Sequence, residues 1–273
     1  MNQPRFLMCP PQYFGVEYVI NPWMNGQVHG TNHQLVASQW SSLQTILKGY
    51  AEVSLLPSIE GLPDLVFTAN AAVIHRQTAL VSSFRYPQRQ PETQHFADWL
   101  RADGFKIHTL PADVLFEGAG DALFDRGKPL LWFGHGLRSD AAVMPYLDKL
   151  IGMEVQPLEL CDPCFYHLDT CFCPLEGGCL LYYPGAFTDA SKAAIEARVP
   201  ANQRRAVSRE DASHFACNAI NIGEKVILNQ SSGEMTAWLT ERGFIVVETP
   251  LTEFMKSGGA AKCLSLRLDE HYF

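Results

Sequence analysis

The sequence predicts an α/β protein, a five-bladed α/β propeller of repeated ββαβ units with pseudo-fivefold symmetry. Two observations carry this expectation. Segments reading as apolar strand, short polar or glycine turn, apolar strand recur at 67–84, 117–134, 169–185 and 214–230. With Asn70, Asp121, Thr170, Asn218 and Cys263 as reference points, the separations are 51, 49, 48 and 45 residues, the near-constant period of a repeat array. The second observation is that helical periodicity fills the gaps, and a short apolar strand follows most of the helices.

The elements follow in order. "PRFLMCP" near the N-terminus reads as a strand left over for "GGAAKCLSLRL" (258–268), and their pairing would close the ring. Apolar residues three and four apart predict helices over 33–50, 91–105, 139–153, 189–200 and 232–244. Short strands are expected at 52–57, 106–111, 154–158 and 244–248. One such unit cannot bury its own apolar face, so the units should pack on one another. A doubly wound sheet would lack a hairpin in every unit, and no Gly-x-Gly-x-x-Gly follows a strand. No linker or low-complexity tract divides the chain, so one domain over 1–273 is expected.

Composition narrows the function class. The chain is 47% hydrophobic and 18% charged, which is ordinary for a globular protein and excludes a mostly disordered one. Its net charge of −8 comes with no basic cluster, so no nucleic-acid partner is expected. No apolar run approaches the ~20 residues of a membrane span, so no membrane partner is expected. The N-terminus lacks a secretory pattern, and eight cysteines are too sparse for a disulfide scaffold. A cytoplasmic protein with reduced thiols is the expectation.

In a ring of similar units, equivalent positions face a common centre. The polar residues near the repeat positions, Asn70, Glu117, Asp121, His167, Asp169, Asn218 and Cys263, are therefore candidates for one site. Taken singly, each reads more simply as a turn or strand-end residue with its own hydrogen bond. Together, in otherwise apolar strands, they indicate a polar cavity. His167 and Asp169, two apart, would share a face if on a strand. Cys263 follows the small-residue run "SGGAAK", which lets a substrate approach a reactive thiol closely.

The stretch "CDPCFYHLDTCFC" (161–173) has zinc-like composition. It lacks the two separated ligand pairs of a structural zinc site, and its Cys-x-x-Cys does not open a helix of a thioredoxin-like unit. No metal and no cofactor is expected.

"FTAN" (67–70), "EGAGD" (117–121), "HLDT" (167–170), "NAINIGEKVI" (218–227) and "SGGAAKC" (257–263) resemble, in order, the motifs of the guanidino-group-modifying enzymes. That superfamily holds arginine deiminases, dimethylarginine dimethylaminohydrolases, amidinotransferases and arginine dihydrolases. The likeness covers nearly the whole chain, and the fold it implies is the five-bladed α/β propeller, or pentein. It implies Cys263 as nucleophile, His167 as general acid and base, Glu117 as the carboxylate that orients His167, and Asp169 as the guanidinium ligand. Deiminases place a second carboxylate where this chain has Asn70, a departure similar to the dihydrolases. "NPWM" (21–24) also resembles the arginine dihydrolase domain. That likeness implies that Asn21, Arg89 and Arg138 hold the substrate's amino-acid end.

The expected activity is arginine dihydrolase, taking L-arginine to ornithine, ammonia and carbon dioxide through a thiouronium on Cys263. A single-step deiminase or dimethylarginine dimethylaminohydrolase giving citrulline is the alternative. A non-catalytic binding factor of the same fold is the alternative of another class. The larger dihydrolases carry a further C-terminal domain, whose activity is not expected of a chain that runs ten residues past Cys263. The expected partner is a small molecule, L-arginine or a close derivative, with a homo-oligomer left open.

Overall fold

The computed structural model describes residues 3–270. Strand β1 (Arg5–Met8), helix α1 (His33–Lys48) and β2 (Glu52–Leu55) open the chain. The next units are β3 (Ala72–His75), β4 (Thr78–Val81), α2 (Glu92–Ala102) and β5 (Lys106–His108), then β6 (Ala122–Phe124), β7 (Leu130–His135), α3 (Met144–Ile151) and β8 (Glu154–Glu159). They are followed by β9 (Phe172–Leu175), β10 (Cys179–Tyr182), α4 (Asp189–Arg198) and β11 (Arg204–Ala206), with a short α5 (Arg209–Ser213) after them. The chain continues through β12 (Ile220–Ile222), β13 (Lys225–Leu228), α6 (Gly233–Thr240), β14 (Ile245–Glu248), a short α7 (Thr252–Met255) and β15 (Leu266–Arg267).

These strands form five three-stranded sheets, each an antiparallel pair with a third strand added in parallel after the helix crossover. The parallel third strand requires a crossover, which the helix supplies. The predicted closure holds: β1 pairs antiparallel with β15, Leu7 opposite Leu266, and parallel with β2. The period thus counts the blades correctly, including the one split between the two ends of the chain.

Local chemistry sets the helix bounds. The Asn32 side chain accepts from the N–H groups of Gln34 and Leu35 and starts α1, while Thr188 and Ser232 cap α4 and α6 in the same way. Helix α1 buries Val36, Trp40, Leu43 and Leu47, the i, i+4, i+7, i+11 stripe seen in the sequence. Each such side chain contributes about 1.5–3 kcal/mol of burial. Helix α3 stops at Gly152, whose φ of 66° is left-handed.

One local expectation is corrected. The motifs "FTAN", "EGAGD" and "HLDT" are not strand segments. Thr68–Asn70, Gly118–Gly120 and Leu168–Thr170 are 3-10 turns placed just before β3, β6 and β9. His167 precedes its turn with extended backbone and Asp169 lies inside it, so a shared strand face is not what places them.

These turns lie at the inner ends of the blades and are bonded to one another around the ring. Asn70 Nδ2 donates to Glu117 O, Leu168 N to Asp121 Oδ1, Asn218 Nδ2 to Asp169 O, Lys262 N to Asn218 O, and Ala69 N to Cys263 O. Every blade is therefore tied to the next within four residues of its repeat position. Gly118 shows how tight the packing is. It adopts φ 62°, and a Cβ there would lie 2.9 Å from Ala72 N.

Candidate active site

Cys263 sits in the loop after α7, whose glycines allow the close approach that the sequence suggested. A Cβ on Gly259 would meet the Phe67 ring at 2.6 Å and Cys263 Cβ at 3.1 Å. Asn218 holds the loop: its Oδ1 accepts from Ala260 N (3.0 Å) and Cys263 N (3.1 Å), and its Nδ2 lies 3.0 Å from Cys263 Sγ. Both carboxylate oxygens of Asp169 are 3.6 Å from the same sulfur. Burial, then the charge of Asp169, pushes the Cys263 thiol well above its ordinary range. A thiol so placed is inert until positive charge reaches it. Lys262, 3.6 Å from Asp169 Oδ2, offsets that push only in part.

His167 stands opposite. Its Nε2 is 2.7 Å from Glu117 Oε2, and its Nδ1 is 3.5 Å from Asn70 Nδ2. A proton on Nε2 satisfies the carboxylate and leaves Nδ1, beside the Asn70 amide, to exchange protons with a bound group. Burial alone would raise the Glu117 carboxyl. The Arg138 guanidinium at 2.9 Å, then His167 and Arg89, hold it well below the usual carboxylate range instead. Glu117 is therefore a fixed anion behind the imidazole.

Arg138 lies between two rings, 4.7 Å from the centroid of Tyr86 and 4.4 Å from that of Tyr166, and donates to Ile20 O. Arg89 is 3% exposed, so it is no solvated loop arginine. It makes a two-pronged pair with Glu92 (2.9 and 2.7 Å) and donates from Nη1 to Asn70 Oδ1 (2.9 Å). Asn21 donates to Ser257 O and accepts from Trp23 N, pinning the loop of residues 22–24 against the Cys263 loop.

These residues surround a small cleft of about 270 Å³. Six of the eight predicted residues line it: Asn21, Asn70, Arg89, Arg138, His167 and Cys263. The other two stand directly behind it, Glu117 against His167 and Asp169 against Cys263. The repeat positions thus converge, although they are far apart in sequence.

The candidate set left out three residues, and Asn218, a repeat-position candidate, received no role. Asp64 lines the cleft and accepts from Tyr18 Oη (2.7 Å) and Ser257 Oγ (3.2 Å). Tyr166 lines it too and donates to Gly258 O at 2.8 Å. Asn218 was among the repeat positions, and that was its signal. Glu92 stands three residues after Arg89 on the first turn of α2, an i, i+3 ion-pair spacing readable in the sequence. Asp64 and Tyr166 carried no comparable signal.

The cysteines of "CDPCFYHLDTCFC" are free, Cys171 and Cys173 buried and Cys161 exposed. Among the described residues no group of three or more His, Cys, Asp or Glu is arranged to hold a metal ion.

Residues 17–268 match the family of eukaryotic N,N dimethylarginine dimethylhydrolases. The chain belongs to this guanidino-group-modifying family. It is 36% identical over 265 residues to the N(G),N(G)-dimethylarginine dimethylaminohydrolase of Mycobacterium tuberculosis, covering 97% of this chain and 85% of that one. It is 50% identical over 266 residues to the bifunctional arginine dihydrolase/ornithine cyclodeaminase AgrE of Nostoc sp.. That match covers 97% of this chain but 38% of AgrE, so the chain spans well under half of that relative. The crystal structure of the N-terminal domain of ArgZ, a cyanobacterial arginine dihydrolase, was determined as a cysteine-to-serine variant bound to substrate. It superposes with a TM-score of 0.98 at 48% identity, covering 99% of this chain and all of that one.

Proposed function

We propose that this chain is an arginine dihydrolase unit, hydrolysing L-arginine to ornithine, ammonia and carbon dioxide with Cys263, His167 and Glu117 as its catalytic residues. The observation that carries the reading is the asymmetry around the thiol. One carboxylate, Asp169, faces Cys263, and the neutral Asn70 amide lies beside His167. Asn70 Oδ1 is held by Arg89 and its Nδ2 faces His167 and Glu117 O, so the amide orientation is set from both sides.

The arginine guanidinium binds over Asp169, and its charge permits Cys263 to ionise. The thiolate attacks the guanidinium carbon, and a C–S bond forms. One C–N bond breaks as His167 protonates the departing ammonia. His167 then takes a proton from water, hydroxide adds to the carbon, and the C–S bond breaks to release a ureido group. Arg138 and Arg89 face the substrate carboxylate, Asn21 positions the surrounding loop, and Asp64 offers the α-ammonium a buried anion.

The second cycle acts on a neutral group. A second carboxylate at position 70 would favour a cation and hold citrulline poorly, whereas an amide both donates and accepts. Citrulline is therefore retained for the second hydrolysis. The free thiols, including exposed Cys161, fit a reducing cytoplasmic setting. Among the described residues no helix is long and apolar enough to cross a membrane.

The likeness to the Mycobacterium tuberculosis enzyme favours the other reading, a single hydrolysis ending at citrulline. Product analysis separates the two. Arginine and, separately, citrulline should both yield ornithine, and Asn70→Asp should make citrulline accumulate from arginine. Citrulline accumulating from the unmodified protein without ornithine would leave the single-step reading standing alone.

A further inference from the structure

Three buried carboxylates around the cleft have a cation within ion-pair distance. Glu92 has Arg89 at 2.7 Å, Glu117 has Arg138 at 2.9 Å, and Asp169 has Lys262 at 3.6 Å. The first two cations line the cleft; the third does not. Lys262 precedes the nucleophile, but its side chain runs to the other side of the floor. There its Nζ donates to Ala119 O and faces a separate cavity of about 660 Å³ that shares no lining residue with the cleft. Asp169 lines that second cavity while touching Cys263, so carboxylate, lysine and thiol form one stack across the floor.

We propose that Lys262 is the positioning cation for the second hydrolysis, supplying beneath Asp169 and Cys263 the positive charge that a neutral ureido group does not bring. This rests on the dihydrolase reading above. Arginine carries its own charge to the floor. Citrulline does not, and a thiolate 3.6 Å from the Asp169 carboxylate would then be a buried like-charge pair. The ureido carbon is also a weaker electrophile than a guanidinium carbon, so the thiolate population matters more at this step.

In the second cycle the Cys263 thiolate forms a C–S bond to the ureido carbon. The bond to the terminal nitrogen breaks, and the His167 imidazolium gives its proton to the leaving ammonia. Water, deprotonated by His167, adds as hydroxide and the C–S bond breaks. The resulting carbamate takes up a proton, and its C–N bond breaks to give carbon dioxide and the ornithine amine. Lys262 gives up no proton in these steps.

The neighbouring groups leave this role to Lys262. His167 and Tyr166 face Cys263 and Asp169 from the cleft side, and His167 is engaged with Glu117. Cys173, Arg126, Arg267 and Glu270 share the second cavity; Arg126 pairs with Glu270 and Arg267 with Asp269. Burial holds Asp169 above its ordinary range and Lys262 is the first charge opposing that; Lys262 is likewise the first charge opposing the upward push on Cys263.

The test compares Lys262→Met, close in length but uncharged, with Lys262→Arg, on arginine and on citrulline separately. Lys262→Met should lower arginine deimination by less than about 5-fold and citrulline hydrolysis by at least about 50-fold, as a charge effect confined to the neutral substrate requires. Arginine given to Lys262→Met should accumulate citrulline, the pH profile for citrulline should move upward, and Lys262→Arg should restore most of the loss. Iodoacetamide inactivation across pH gives a readout independent of turnover, and its midpoint should rise in Lys262→Met. Equal losses on both substrates, unrescued by arginine, would show a merely structural lysine and overturn the proposal. Unchanged citrulline turnover in Lys262→Met would overturn it too, leaving the dihydrolase reading intact. Wild-type protein inert toward citrulline would instead overturn that reading, and this proposal with it.

Discussion

The two ends of the cleft are built differently. At the reacting end, Cys263, His167, Asp169 and Asn70 come from three blades, His167 and Asp169 from one, and stand at or within three residues of the repeat positions. They are fixed by the turns and side-chain amides that tie each blade to the next. At the anchoring end, Asn21, Asp64, Arg89, Arg138 and Tyr166 come from irregular segments between and ahead of the strands. They are fixed by buried ion pairs and rings. Symmetry places the chemistry, while departures from it shape the substrate pocket. Loss of His167 is therefore expected to cost the fold less than loss of one side of the buried ion pairs.

The largest expected effect lies at the reacting end. His167→Ala removes the only imidazole in the cleft among the described residues and should lower turnover about 10²–10⁴-fold, as loss of the proposed general acid and base requires. Glu117 keeps Arg138, so the thermal midpoint should move little. A collapse in stability as large as that of an anchoring variant would erase the contrast between the two ends. Next is Arg138→Leu, which leaves Glu117 buried without its guanidinium and strips the cation from between Tyr86 and Tyr166. Urea unfolding should show a loss of about 3–5 kcal/mol, the cost of breaking one side of a buried pair. A stability within error of wild type would mean that the ion pairs serve binding alone.

The smallest effect sharpens the picture behind the reacting end. Burial raises the Asp121 carboxyl to about 6, where it accepts from Leu168 N and Ser139 Oγ. The protonated form is thus favoured on folding. Its contribution is fully present below the unfolded value of about 3.9 and is lost as pH rises through about 6. Asp121→Asn should flatten the fall in stability over that window, measured by denaturant midpoints at stepped pH. An unaltered slope would show that Asp121 is ionised throughout and is held by the ring bond alone.

These ends were unequally legible in the sequence. The period of the polar landmarks gave the blade count and its closure through "PRFLMCP", because a repeated unit must bury the same apolar face each time. The family motifs that follow that period named the residues that line or back the reacting end of the cleft. Their local geometry is less legible: "HLDT" forms a 3-10 turn, although the apolar run that follows it reads as a strand. At the anchoring end Asn21, Arg89 and Arg138 came only through resemblance. Asp64 and Tyr166 did not come at all, since a single acid or tyrosine in an irregular loop has no periodicity to mark it. The four cysteines that dominate "CDPCFYHLDTCFC" by composition are peripheral to the cleft, and the two polar residues among them are central.

By itself the sequence determined the blades and their number and, through family resemblance, named the candidate side chains of the site, because hydrophobic period and short motifs are local properties. The tertiary structure decided which charge stands beside which: Asn218 on the thiol, Glu92 on Arg89, Lys262 under Asp169. Coulombic and desolvation effects depend on distances between residues far apart in the chain, and those distances exist only once the ring has closed.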